Sequence, residues 1–191
     1  VARSEVEMSE ENPWKKTDSK IVYQNPWITV REDQVIRPDG NPGIYSVVDT
    51  RIATGVVALT PDHEVYLVGQ YRYPLDEYTW EIVEGGADKG EKPLEAAKRE
   101  LQEEAGLRAQ NWTQLGPEFH LSNCHSSEIG VVFLATNLTL VESSPDATEV
   151  LSIRKLPFED YLAQVYSGEV KDSVSIIGTL RAQHYLQSNP I

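Results

Sequence analysis

The sequence predicts an α/β fold: a mixed sheet sandwiched between helices, with a small antiparallel β subdomain ahead of it. Three observations lead there. β-rich segments separated by turn residues lie on both sides of one strongly helical stretch at 93–105, two further helical patterns close the chain, and the first fifty residues carry strand patterns only. With 191 residues the chain has room for one ordinary domain and an appendage, and the expected division is 1–16, 17–50 and 51–191.

In chain order, residues 1–16 read as a disordered acidic tail without periodicity. Met8 is the only methionine and the expected natural start, with 1–7 expected to be an extraneous remnant outside the fold. Strands are expected at 20–23, 27–36 and 44–50, with Arg37-Pro38-Asp39-Gly40 turning between the last two. A second set follows at 55–59, 65–71 and 79–83, then a Gly-rich loop over 84–90. Pro93 suits the first turn of a helix over 93–105, because its missing N–H would have no partner there. Gly106 suits a left-handed cap. Strands at 129–138 and 150–155 and helices at 158–166 and 173–186 complete the pattern.

Seventeen basic residues against thirty acidic ones give a net charge of -13. Such a surface repels nucleic acid and anionic lipid, and no basic cluster reverses the sign locally, so neither is an expected partner. The longest apolar runs are too short to span a bilayer. No charged-then-apolar leader opens the chain and Cys124 stands alone, so a reducing, cytoplasmic location is expected.

The chemistry concentrates in 85–107, GGADKGEKPLEAAKRELQEEAGL. At 100° per residue, Glu100, Glu103 and Glu104 share one side of the helix, bordering an apolar stripe of Leu94, Ala97, Leu101 and Ala105. A Glu-rich helix face is ordinarily just solvated. Here a Gly-rich loop precedes it, able to bring main-chain carbonyls to the same place, and clustered hard oxygens beside a loop suit Mg²⁺ or its substitute Mn²⁺.

This stretch resembles the Nudix box, G-x5-E-x7-R-E-U-x-E-E-x-G-U with U aliphatic, at Gly85, Glu91, Arg99, Glu100, Leu101, Glu103, Glu104, Gly106 and Leu107, with every position filled. The resemblance implies a Nudix-type α/β/α sandwich that hydrolyses a nucleoside diphosphate linked to another group. It also implies metal ligands at Glu100, Glu104 and Glu103 and at the main-chain carbonyl of Glu84. Glu103 is in addition a catalytic candidate. Family members often have Ala at position 84, so this glutamate is a departure, its side chain either an extra ligand or directed to solvent. Arg99 is expected to orient carboxylates rather than touch substrate.

Beyond the box, Gln70-Tyr71-Arg72-Tyr73 and Trp80-Glu81-Ile82-Val83-Glu84-Gly85 look like the ADP-ribose and related nucleoside diphosphate sugar pyrophosphatases. That group carries an N-terminal β subdomain exchanged across a homodimer. It implies substrate contacts at Arg72 and Glu81, base stacking by Trp27, and a phosphate or sugar contact at Arg37. Trp27 reads equally as a packed strand aromatic, and Trp80 as core. ADP-ribose-preferring members usually have a proline where Asn123 stands here, sixteen residues past the box, which favours a broader range that includes ADP-glucose and GDP-mannose. The general base of the group comes from a flexible loop after the box. Glu149 best matches that position, with Glu142 and Asp146 in reserve and Glu128 a further alternative for approach to the metals.

Competing chemistries are weaker. His120, Cys124 and His125 lack the paired spacing of a zinc centre, and no Gly-x-Ser-x-Gly supports a serine hydrolase. The alternatives kept open are hydrolysis of a nucleoside triphosphate or dinucleoside polyphosphate, and a non-catalytic nucleotide sensor on the same fold.

Overall fold

A computed structural model describes residues 11–144 and 150–189. The chain forms two compact units, one running up to Thr50 and including Cys124–Ser127, the other made of Arg51–Asn123 and the residues from Glu128 onward.

The first unit is a three-stranded antiparallel sheet of β1 (Lys15–Gln24), β2 (Thr29–Ile36) and β3 (Pro42–Asp49), in that order. The β2–β3 turn closes with the Gly40 N–H donating to the Arg37 carbonyl at 2.9 Å, and Gly40 has φ 82°, a value that favours glycine. Between β1 and β2 the Asn25 side chain accepts from the N–H groups of Trp27 and Ile28 at 2.9 and 2.8 Å, an Asx turn. Only β2 has buried positions, Asp33 and Val35, whereas every residue of β1 is exposed. The segment 124–127 runs beside β3, with the Val48 N–H donating to the His125 carbonyl at 2.8 Å.

The second unit holds two sheets. One has the order β7 (Val83–Gly86), β4 (Ala53–Ala58), β10 (Ile129–Leu140), β8 (Leu107–Gln114), with β9 (Phe119–His120) also on β10. Its β4–β10 pair is parallel and the rest antiparallel, so the sheet is mixed. The other orders β11 (Ser152–Pro157), β5 (Glu64–Arg72) and β6 (Glu77–Glu81), all antiparallel. Helix α1 (Pro93–Ala105) covers one face of the mixed sheet, where Ala97, Leu101 and Ala105 pack on Val56, Ala58, Val131, Phe133 and Ala135. Helices α2 (Phe158–Ser167) and α3 (Ser173–Ser188) supply the other core, with Tyr161, Leu162, Val174 and Ala182 against Val57, Leu59, Val132 and Leu134. Burial on both faces explains why the second half of β4 and the first half of β10 read as unbroken apolar runs. Among the described residues no helix is long and apolar enough to cross a membrane.

Four elements differ from the sequence expectation. The loop expected over 84–90 begins late, because β7 continues to Gly86 by pairing with β4, Glu84 opposite Gly55 and Gly86 opposite Ala53. Strands β8 and β9 are additional: LRAQNWTQ is largely polar and half exposed, and β9 is two residues long, so neither shows an apolar alternation. Strand β1 starts at Lys15, five residues before the expected position and inside the stretch read as a tail.

Candidate active site

The site grows from the edge strand β7 and the face of α1 beside it. Helix α1 starts with Pro93 in its first turn and ends at Gly106, whose φ of 62° is the left-handed cap. The loop before it is tied down by the Asp88 N–H, which donates to Glu91 Oε2 at 2.8 Å.

Successive residues of a strand face opposite sides, and this fixes what β7 offers. On the α1 side, a Cβ at Gly85 would lie 2.0 Å from Glu100 Cδ and 2.2 Å from its Oε1. The Glu100 carboxylate therefore occupies the place that any side chain at 85 would take. The Glu84 N–H donates to Glu104 Oε2 at 3.4 Å, and since a strand residue's N–H and C=O lie along the same edge, the Glu84 carbonyl faces the same side. Glu104 is only 5 % exposed. Two residues on, the Gly86 carbonyl accepts from Arg99 Nη2 at 3.1 Å.

Arg99 also binds Glu91 through Nε and Nη2 at 3.2 and 3.0 Å, and its Nη1 donates to Glu100 at 2.7 Å and Glu103 at 3.1 Å. The Glu91 hydrogen bonds hold the guanidinium well above its ordinary value despite partial burial, with Glu100 and Glu103 adding to the effect. Conversely, Arg99 and the Asp88 N–H hold the Glu91 carboxyl below its usual range.

The Glu84 side chain takes neither direction expected of it. It points to the opposite face, where Oε1 accepts from Ser175 Oγ at 2.7 Å and the carboxyl meets Asp172. Burial pushes this carboxyl well above the usual range, and Asp172 pushes it further. Ser175 Oγ accepts in turn from the Ile82 N–H at 3.0 Å, while the Ser175 N–H donates to Asp172, the N-cap of α3, at 2.7 Å. Ser175 is fully buried.

A second charged pair lies on the neighbouring strands. Glu81, 2 % exposed, receives Arg72 in a fork through Nε and Nη2, with the Nε contacts at 3.0 and 3.1 Å, and accepts from Thr79 Oγ1 at 2.6 Å and Gln70 Nε2 at 3.4 Å. The Arg72 Nη1 takes no part in this fork. Burial opposes the Arg72 charge, but the Glu81 carboxylate outweighs it and leaves the guanidinium above its ordinary value.

The second unit thus brings together Glu84, Glu100, Glu103, Glu104 and Arg99 around one strand edge, and joins Arg72 to Glu81. Trp27 and Arg37 belong to the first unit, Trp27 being 68 % exposed and Arg37 paired with Asp39 at 2.9 Å. Trp80 packs partly buried against the core under the Arg154 guanidinium, 4.1 Å from its ring. Glu149 and Asp146 lie outside the described residues. Glu142 is exposed, on a segment tied to the end of α1 by the Val141 N–H to the Gly106 carbonyl at 2.9 Å and the Ser144 N–H to the Glu103 carbonyl at 3.2 Å. Glu128 is half-buried, and burial raises its carboxyl. Cys124 is exposed, its Sγ 3.0 Å from His125 Nδ1. The sequence reading passed over Ser175 and Asp172; the one signal pointing to them was the unusual glutamate at 84.

No group of three or more His, Cys, Asp and Glu side chains stands ready-made as a metal centre among the described residues, and Arg99 sits between Glu100 and Glu103. The donor chemistry nevertheless fits a hard divalent cation: a main-chain carbonyl and three carboxylates, two of them largely withdrawn from solvent, with a glycine that leaves room for Glu100.

The sequence matches the family model of the NUDIX domain over residues 49–173 and that of the nucleoside diphosphate sugar hydrolase N-terminal domain over 14–48. This chain belongs to the Nudix family. It is 33 % identical over 168 residues to an ADP-ribose pyrophosphatase of Bacillus subtilis, covering 87 % of this chain and 88 % of that one. An ADP-ribose pyrophosphatase of Mycobacterium tuberculosis is 30 % identical over 174 residues, covering 89 % and 83 %. In fold it is similar to a solved structure titled as an ADP compounds hydrolase, with a TM-score of 0.84 at 20 % identity over 96 % of this chain and 99 % of the other.

Proposed function

We propose that this protein hydrolyses the pyrophosphate bond of nucleoside diphosphate sugars of the ADP-ribose, ADP-glucose and GDP-mannose type, in a reaction that depends on a divalent metal. One observation carries the reading: the Glu100 carboxylate fills the space over Gly85, next to the strand edge where Glu84 and Glu104 meet. Similarity to the two ADP-ribose pyrophosphatases supports the substrate class. Mg²⁺ is the proposed ion and Mn²⁺ its substitute. Glu100, Glu104, Glu103 and the Glu84 carbonyl would hold it.

Water attacks one phosphorus as the bridging P–O bond breaks, yielding a nucleoside monophosphate and a sugar phosphate. The bound cation supplies neutralisation of the charge that develops on the diphosphate. The protein's own residues have separate tasks. Arg72, its fork fixed by Glu81, turns Nη1 toward the substrate. Glu149 takes the proton of the attacking water, and Glu103 assists at the metal. Trp27 stacks on the base and Arg37 binds the phosphates or sugar.

The working form is a cytoplasmic homodimer. Ile21, Tyr23 and Ile44 are large, exposed apolar side chains of a three-stranded sheet that buries only Val35 among its apolar residues, and Trp27 in the β1–β2 turn is exposed beside them. Sedimentation at micromolar concentration should show a dimer, and a fully active monomer would exclude it. The function itself is tested with a panel of ADP-ribose, ADP-glucose, GDP-mannose and a nucleoside triphosphate in Mg²⁺. Preference for the triphosphate, or no turnover of any of the four, would overturn the reading.

A further inference from the structure

The departure at position 84 has a partner on α3, and together they form a brace behind the metal-facing strand edge. Ser175 Oγ donates to Glu84 Oε1 at 2.7 Å and accepts the Ile82 N–H at 3.0 Å, so one buried hydroxyl holds both sides of the step from β6 into β7. Ser175 lies in the first turn of α3, where its own N–H is fixed at 2.7 Å by Asp172, the N-cap. Asp172 also meets the Glu84 carboxyl, so the side chain is gripped at two points. The opposite face and the outer edge of the same residues carry the Gly85–Glu100 contact and the Glu84 N–H to Glu104. A shift of Glu84 in or out of the strand would therefore move its carbonyl relative to Glu104.

We propose that Ser175 is a positioning residue: its hydroxyl, through the Glu84 side chain and the Ile82 N–H, sets where the Glu84 carbonyl stands against the carboxylates of α1. The Glu84 side chain is thus a strut and not a metal ligand. This rests on the reading of the α1 carboxylates as the metal site. Residues that orient a ligand without touching the ion can matter for affinity about tenfold or more.

The test uses the full-length protein without substrate and titrates Mn²⁺, followed by electron paramagnetic resonance. Ser175→Ala should weaken Mn²⁺ binding about tenfold. Glu84→Ala should weaken it similarly, and the double variant should be no worse than either single one, because both remove the same strut. Glu84→Gln should bind nearly as the parent protein does, since an amide accepts from Ser175 and donates to Asp172. Urea unfolding without metal establishes that each variant is folded, and if Ser175→Ala does not fold, the two Glu84 variants decide. Parent-like binding by Glu84→Ala, or loss of binding in Glu84→Gln, would overturn the proposal, the latter by making the carboxylate itself a ligand. Glu104→Gln is the separating control. If it loses Mn²⁺ while Ser175→Ala and Glu84→Ala keep it, only the strut fails. If Glu104→Gln binds normally, the metal site and the strut both fall.

Discussion

The Gly85→Ala substitution isolates the cradle under Glu100. The added Cβ would stand 2.0 Å from Glu100 Cδ, 2.2 Å from Oε1 and 2.4 Å from Cγ. Ordinary contact needs about 3.5 Å, so either β7 or the carboxylate must move by about 1.5 Å. The strand is pinned by its pairing with β4 and by the Thr54 hydroxyl, which donates to the Gly85 carbonyl at 3.1 Å. The Glu100 side chain is the softer element, and it is expected to swing out, giving up its 2.7 Å bond from Arg99.

The cost then falls on function more than on stability. Overpacking of this kind costs about 1–3 kcal/mol, and replacing glycine by alanine recovers about 0.4–1 kcal/mol by restricting the unfolded chain. A net loss of about 1 kcal/mol in urea unfolding is expected. A displacement of about 1.5 Å in a reacting assembly costs on the order of a hundredfold in rate. The assay pairs kcat on ADP-ribose with Mn²⁺ titration. Gly86→Ala is the comparison: its Cβ would face the other side of the strand and meet the flexible Arg51 side chain at 3.1 Å, so it should lose far less. Parent-like turnover and metal affinity in Gly85→Ala would refute the cradle.

Three further outcomes are expected. Glu149→Gln should lower kcat strongly with little change in KM or metal affinity, and single-turnover rates of Gln variants of Glu142 and Glu128 and an Asn variant of Asp146 compare the alternatives; an unchanged Glu149→Gln would move the base elsewhere. Arg72→Ala leaves the 2 % exposed Glu81 without its counter-charge, a loss of about 3–5 kcal/mol for a fully buried pair and nearer the lower end here because Arg72 is 36 % exposed; the Arg72→Leu, Glu81→Leu double variant should regain most of it in urea unfolding. Because Arg99 and the Asp88 N–H lower the folded-state pKa of Glu91 from its ordinary 4.5, Glu91 contributes stability that is present above 4.5 and lost as acid takes the pH down through the folded value; in Glu91→Gln the acid loss of stability should be smaller.

How far the sequence could be read depended on the range of the interactions involved. Helix α1 and its acidic side were legible because everything that sets them is local: a proline and a glycine at the ends, an apolar stripe, and carboxylates at three- and four-residue spacing. The second half of β4 and the first half of β10 were legible because burial on two faces leaves them almost wholly apolar. Strand β8 was not, since a half-exposed strand of mixed polarity carries no signal until its neighbour is known. The Glu84 side chain was beyond reach for the same reason. Its partner Ser175 is 91 residues away, and an isolated serine in a helix pattern announces nothing. The Arg72–Glu81 fork was half legible: both residues stood out, but their pairing depends on the β5–β6 register that places Val68 opposite Glu81.

The charge balance at the site explains why an acidic chain suits an anionic substrate. Glu84, Glu91, Glu100, Glu103 and Glu104 surround one strand edge with Arg99 as the cation among them, and the neighbouring Glu81 uses the fork of Arg72. Each arginine is thus already engaged with carboxylates, and neither offers its full charge to a diphosphate. Burial and the neighbouring Asp172 push the Glu84 carboxyl well above the usual carboxylate range, while the Ser175 hydroxyl donates to it on the face away from α1. On α1, Arg99 donates to Glu100 and Glu103, so one guanidinium faces two of the three clustered carboxylates. On the proposed assignment, a divalent cation held there would relieve carboxylate repulsion and give the diphosphate a counter-charge at the same place. If the proposed ligand set holds, substrate and metal affinity are linked through those three carboxylates and each should tighten as the other binds; Mn²⁺ affinity unchanged by a bound non-hydrolysable ADP-sugar analogue would refute it.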